Sequence, residues 1–135
     1  MIKKFDHVGT VIKNTEEVVS LFSNLFGFKI TEPRTFPENG FKSTLISKEE
    51  VTIELIEPIG SEGIIQKFVE KHGGGLHHIS IQVDDLEGEI KRLKTYGVQF
   101  VNEEPSQISE TSKIVFIHPR STHGILIELI QRAQS

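Results

Sequence analysis

Val18, Val19, Phe22, Leu25 and Phe26 recur at i, i+1, i+4, i+7 and i+8, one apolar stripe with a period near 3.6, and such a stripe predicts an amphipathic helix. Asn14, with Glu17 three positions on, suits its start, and Gly27 suits the left-handed residue past its end. The pattern returns in Leu86, Ile90 and Leu93, with Asp84 or Asp85 as cap and Gly97 as stop. Between them, in residues 58–75, Ile64, Ile65, Phe68 and Val69 predict a short third helix ended by Gly73-Gly74-Gly75. The triple glycine lacks the Lys-Ser/Thr of a P-loop and does not lead from a strand into a helix, so it reads as a helix stop and linker. Strand-like runs follow each long helix: Phe28 to Thr31, Phe41 to Ser47 and Val51 to Glu57, then Val98 to Asn102, Lys113 to His118 and Gly124 to Ile130. Glu38-Asn39-Gly40 and Pro119-Arg120-Ser121 mark turns.

The two sets of elements are copies of one pattern. Ile-Glu-Leu-Ile occurs at residues 53–56 and again at 127–130. A histidine opening an apolar alternation also occurs twice, at His7 and His78, and a helix-ending glycine follows 20 residues later in the first case and 19 in the second. Each copy therefore reads as strand, helix, then three strands. The expected fold is α+β, a single domain over residues 1–135 in which two βαβββ repeat units, about 4–58 and 76–131, form a curved sheet.

Composition removes several classes of function. Fifteen Lys and Arg against 19 Asp and Glu give a net charge of -4, and the basic residues are scattered or paired (Lys3-Lys4, Lys91-Arg92) rather than striped. No nucleic acid and no anionic membrane is expected as a partner. The absence of cysteine excludes a disulfide framework, a thiolate nucleophile and a Cys-type zinc site. The longest apolar run is Ile114 to Ile117, too short for a membrane span, and the start has no apolar h-region, so a cytoplasmic protein is expected.

Strand parity then selects the chemistry, since alternate side chains face opposite sides of a sheet. From Leu76 onward, His77, Ile79, Ile81 and Val83 share a face suited to packing under a helix, which leaves His78, Ser80 and Gln82 on the other. Glu54 and Glu128 sit among apolar neighbours, where a carboxylate is costly unless paired, protonated or bound to a metal. Singly, each of these residues has an ordinary structural use. What raises them to a candidate site is their equivalent placement in a repeat: if both copies line one sheet, His7, Glu54, His78 and Glu128 converge. Two imidazoles and two carboxylates suit Zn, Co, Ni or Mn better than Ca or Cu(I).

Longer blocks extend the pattern: Asp6-His7-Val8-Gly9, Phe36-Pro37-Glu38-Asn39-Gly40, Ile53-Glu54-Leu55-Ile56-Glu57-Pro58, Gly75-Leu76-His77-His78-Ile79, Val83-Asp84-Asp85-Leu86 and His118-Pro119-Arg120-Ser121-Thr122. In these blocks the chain resembles the vicinal-oxygen-chelate superfamily of glyoxalase-like metalloproteins, and within it the methylmalonyl-CoA epimerases. The resemblance implies one divalent ion (Co, Zn, Ni or Mn) held by His7, Glu54, His78 and Glu128. It implies an acyl-CoA thioester as substrate, epimerisation at C2 through an enolate with Glu128 as ligand and base, and a homodimer as assembly. The chain departs from the pattern at Asn39 and His123, and Ser43 falls where some members carry a proton-transfer carboxylate, leaving Glu38 or a water as candidates for the second acid/base. His118 and Arg120 are candidates for an anionic ligand, although a turn cap and a solvated side chain account for them. Alternatives within the superfamily are glyoxalase I, which would use the same four ligands, and a non-catalytic drug-binding resistance protein, which would need none of them. An Fe(II) dioxygenase would use two His and one Glu, and Glu54 counts against it.

Overall fold

The computed structural model describes residues 1–133, in two compact units: residues 7–77, and residues 1–6 together with the chain from His78 onward. Strand β1 (Ile2–Val11) begins in one and ends in the other.

Within residues 7–77, β1 is followed by α1 (Thr15–Phe26), β2 (Lys29–Ile30), β3 (Arg34–Phe36), β4 (Phe41–Lys48), β5 (Val51–Pro58) and α2 (Ile64–His72). The strand order is β2-β4-β5-β1, with β3 also pairing β4. β4 and β5 form an antiparallel hairpin from Phe41↔Pro58 to Lys48↔Val51. β1 lies parallel to β5, from Val8↔Ile53 to Val11↔Ile56, an arrangement that requires the long crossover through α1. Asn14 caps α1 by accepting the Glu17 N–H at 3.1 Å, and Gly27 closes it with φ +72°. Buried Val11, Ile56 and Ile65 form a core with Phe41, Phe68 and Val69, so α2 covers part of the sheet face that carries Val11.

In the other unit, β6 (Gly75–Val83) leads to α3 (Leu86–Lys94), β7 (Ser106–Gln107), β8 (Ser112–Ile117), a 3₁₀ turn (Pro119–Ser121) and β9 (Ile127–Arg132), in the order β6-β9-β8-β7. β9 runs parallel to β6 and antiparallel to β8, which repeats the β5 arrangement. Leu86 and Ile90 of α3 pack on Val83, Val115, Ile117 and Leu129. Asp6 ties the start of the chain to this unit through two hydrogen bonds from the Arg132 guanidinium, at 2.8 and 3.0 Å.

The α+β class and the helices agree with the expectation, and four details differ. The run 98–102 is not a strand: only Phe100 bridges Ile117, and the post-helix strand falls at Ser106–Gln107. The backbone there is shared between β8 and the turn after it: Val101 N–H donates to Phe116 C=O, Gln99 C=O accepts from His118 N–H, and Gln99 N–H donates to Ser121 Oγ. β3 is an additional strand, paired to β4 through Arg34↔Ser43 to Phe36↔Phe41. Helix α1 buries less of its apolar stripe than its sequence suggests, with Leu25 68% and Phe26 50% exposed, whereas Leu86 of α3 is fully buried. The following strand β2 is only two residues long, and Phe22 closes on the rings of Phe26 and Phe28. Gly97 also lies past the end of α3 rather than at its cap, which is Thr95. No helix among the described residues is long and apolar enough to cross a membrane.

Candidate functional site

His7 is buried on β1, and two residues on, Gly9 lies directly across from Glu54 of β5. The parallel register thus brings imidazole and carboxylate to one face of adjacent strands, with His7 Nε2 3.4 Å from Glu54 Oε1. Gly9 contributes no side chain between them. The other carboxylate oxygen, Oε2, accepts a 2.7 Å hydrogen bond from the Ser43 hydroxyl. Ser43 reaches it from β4, the antiparallel neighbour, where Leu45 stands opposite Glu54.

The second unit builds the same pair in the same register. His78 is buried on β6, and two residues on, Ser80 lies directly across from Glu128 of β9. Ser80 is fully buried, and its hydroxyl donates to Glu128 Oε1 at 2.7 Å. Glu128 itself is 6% exposed, a degree of burial that a carboxylate tolerates only with partners. The His78 ring meets Phe116, which stands opposite Glu128 on β8, edge to face with 5.7 Å between centroids.

Each unit therefore holds one histidine and one glutamate on a common face, with the histidine two residues before the position across from the glutamate. Neutral imidazole and carboxylate are the donors that a divalent first-row ion takes, and each glutamate has one oxygen tied by a serine, as ligating carboxylates commonly do. The donor chemistry fits the expected ion. The serines are the part that sequence reasoning missed. Ser43 stood out only as a departure from the resembled pattern, and the available signal for Ser80 was its parity with His78.

The remaining candidates have other occupations. His77 is turned away from the His78 face, and its ring packs edge to face on Phe68 of α2 at 5.0 Å; parity holds, with α2 rather than α3 as the helix it meets. His118 accepts the Arg120 N–H on Nδ1 at 3.0 Å, and the Arg120 guanidinium reaches Gln99 Oε1 at 3.4 Å, so these residues build a turn. Glu38 lies in an exposed turn. Glu57, three residues beyond Glu54, accepts both the N–H and the hydroxyl of Thr15 at 2.8 Å. Burial acts to raise its pKa, and the two Thr15 bonds with Lys42 outweigh this and hold it below the ordinary glutamate value of 4.5. Glu57 thus anchors the start of α1.

Comparison with known proteins places the chain in a family. The mitochondrial methylmalonyl-CoA epimerase of Dictyostelium discoideum is 33% identical over 132 residues, covering 97% of this chain and 80% of that protein. The ethylmalonyl-CoA/methylmalonyl-CoA epimerase of Cereibacter sphaeroides is 31% identical, with 97% and 99% covered. Among solved structures, a variant of the Streptomyces coelicolor methylmalonyl-CoA epimerase in complex with 2-nitronate-propionyl-CoA superimposes with a TM-score of 0.88 at 25% identity, over 99% of this chain and 100% of that one. Residues 6–116 match the family model, and with its paired His-Glu register the chain belongs to the Glyoxalase/Bleomycin resistance protein/Dioxygenase superfamily.

Proposed function

We propose that this protein is a metal-dependent epimerase that interconverts the C2 epimers of methylmalonyl-CoA, binding one divalent ion through His7, Glu54, His78 and Glu128. The observation that carries the reading is the identical register of the two histidine-glutamate pairs. The similarity to epimerases of this thioester class along nearly the whole chain supports the choice of substrate.

The chemical problem is removal of the proton at C2, alpha to the thioester carbonyl, which places negative charge on that carbonyl oxygen. A divalent ion at this position supplies a Lewis acid, worth several kcal/mol of charge stabilisation. The chain's own residues divide the remaining work. His7 and His78 are ligands through imidazole nitrogen, and their burial keeps competing water away. Glu54 is a ligand held in orientation by Ser43. Glu128, with Oε1 tied to Ser80, is the base: its carboxylate takes the C2 proton while the C–H electron pair moves into the enolate. Delivery of a proton from a water to the opposite face gives the other epimer, and Glu128 returns its proton to solvent to restore the base.

The test is incubation of methylmalonyl-CoA with the protein in deuterated buffer, following loss of the C2 proton signal, with methylglyoxal plus glutathione as the parallel substrate. Exchange at C2 without turnover of the hemithioacetal supports the epimerase. The reverse result assigns the chain to glyoxalase chemistry.

A further inference from the structure

The two carboxylates are equivalent in the repeat, yet they are held from opposite sides. Ser80 lies on β6, the parallel neighbour of β9, directly across from Glu128. The equivalent position in the first unit is Gly9, which has no hydroxyl to offer. Glu54 takes its serine bond from β4, the antiparallel neighbour, through a residue paired not with Glu54 but with Ile56. The repeat itself thus has no need of a hydroxyl where Ser80 stands. A fully buried serine commonly satisfies itself on a nearby backbone carbonyl; this one spends its hydroxyl on a carboxylate at 2.7 Å.

From this we infer that Ser80 is a positioning residue for Glu128. Its hydroxyl holds Oε1 and so restrains rotation of the carboxylate about its last torsion, which orients Glu128 for ligation and proton transfer. The strand ladder sets Ser80 directly across from Glu128, which keeps the two side chains within hydrogen-bond reach before any ligand arrives. Glu54 takes its serine bond from the opposite neighbour, so the two carboxylates are tied by different strands. The inference rests on the proposed role of Glu128 as ligand and base.

The test compares wild type with Ser80→Ala, Ser80→Cys and Ser80→Thr, each loaded with Co(II). Cysteine preserves the packing and removes the strong donor, and threonine keeps the hydroxyl. Three quantities are read: the visible spectrum of bound Co(II), Co(II) affinity by chelator competition, and kcat and KM for C2 exchange. Ser80→Cys and Ser80→Ala should alter the Co(II) spectrum and lower Co(II) affinity or kcat by about 10- to 100-fold with KM little changed, the usual effect of removing a ligand's own hydrogen-bond partner. Ser80→Thr, at wild-type melting temperature, should restore the spectrum and come within about threefold of wild type, a small loss by the same measure. A Ser80→Cys protein indistinguishable from wild type in spectrum, affinity and kcat overturns the role of Ser80 and leaves the epimerase reading standing. Wild type that exchanges no C2 proton while the Co(II) spectrum still responds to Ser80→Cys removes the epimerase reading and upholds the anchoring of Glu128.

Discussion

Ser43 and Thr44 are neighbours on β4, both buried and both bearing a hydroxyl, yet alternation sends them to opposite faces with opposite consequences. Ser43 binds Glu54, whereas Thr44 Oγ1 is a buried polar atom without a hydrogen-bond partner among the described residues. A buried hydroxyl left unsatisfied costs about 1–3 kcal/mol, and valine has the same shape without it. Thr44→Val is expected to keep or raise the melting temperature; a clear fall by calorimetry contradicts the assignment. Glu57 gives the opposite case. Its folded pKa lies below 4.5, so its contribution to stability is complete above about that pH and is lost as acid takes the pH down through the folded value. Glu57→Gln should therefore be less stable than wild type in urea unfolding at pH 7, and the difference should narrow at pH 3. Such partnerships are poorly legible in sequence. Hydrophobic pattern locates a polar residue on a face, but whether it meets Glu54 or nothing depends on the register of a second strand.

Elements are more legible than partners. The caps Asn14 and Gly27, the helical stripes and the His77/His78 parity all follow from local rules about dihedral preference and period, and local rules suffice there. The run 98–102 shows where they stop. Its Val-Gln-Phe-Val-Asn alternation has the period of a strand, but β7 holds Lys113 and Ile114 of β8, and what is left beside Phe116 to His118 supports the single bridge Phe100↔Ile117 with the bonds flanking it. A strand exists only if a neighbour has an open edge for it, which is not a property of its own residues. The same limit applies to α1, whose stripe is partly buried at Val18, Val19 and Phe22 and exposed at its end in Leu25 and Phe26. Parity yields a sharp test at this scale. His78→Ala should lose the bound ion, whereas His77→Ala should keep it and lower the melting temperature through the lost Phe68 contact. Metal loss in the His77 variant and retention in the His78 variant would place the register one residue out.

At the scale of the molecule, the repeat is what makes a site visible in the sequence. A histidine on a first strand and a glutamate on a last strand mean little alone; their recurrence in one register, His7 with Glu54 and His78 with Glu128, is a pattern that ordinary structural use does not require. It is legible because Ile-Glu-Leu-Ile appears twice and parity places its glutamates. The second proton-transfer group is not legible, because Ser43, where some resembled proteins carry a carboxylate, is engaged with Glu54. The base role of Glu128 separates from its ligand role in Glu128→Gln, which keeps an oxygen donor and loses proton affinity. Turnover should fall by about 10²- to 10⁴-fold, the usual worth of a general base, with metal content largely kept; loss of both in proportion would reduce Glu128 to a ligand.

Metal-dependent epimerisation is tested most sharply by C2-proton exchange of methylmalonyl-CoA in deuterated buffer, read by NMR on one preparation as purified, after chelator treatment and after reloading with Co(II). Exchange should disappear with the metal and return with it, at one ion per chain. Exchange unaffected by chelation at confirmed metal loss, or none at all in the reloaded protein, contradicts the proposed chemistry.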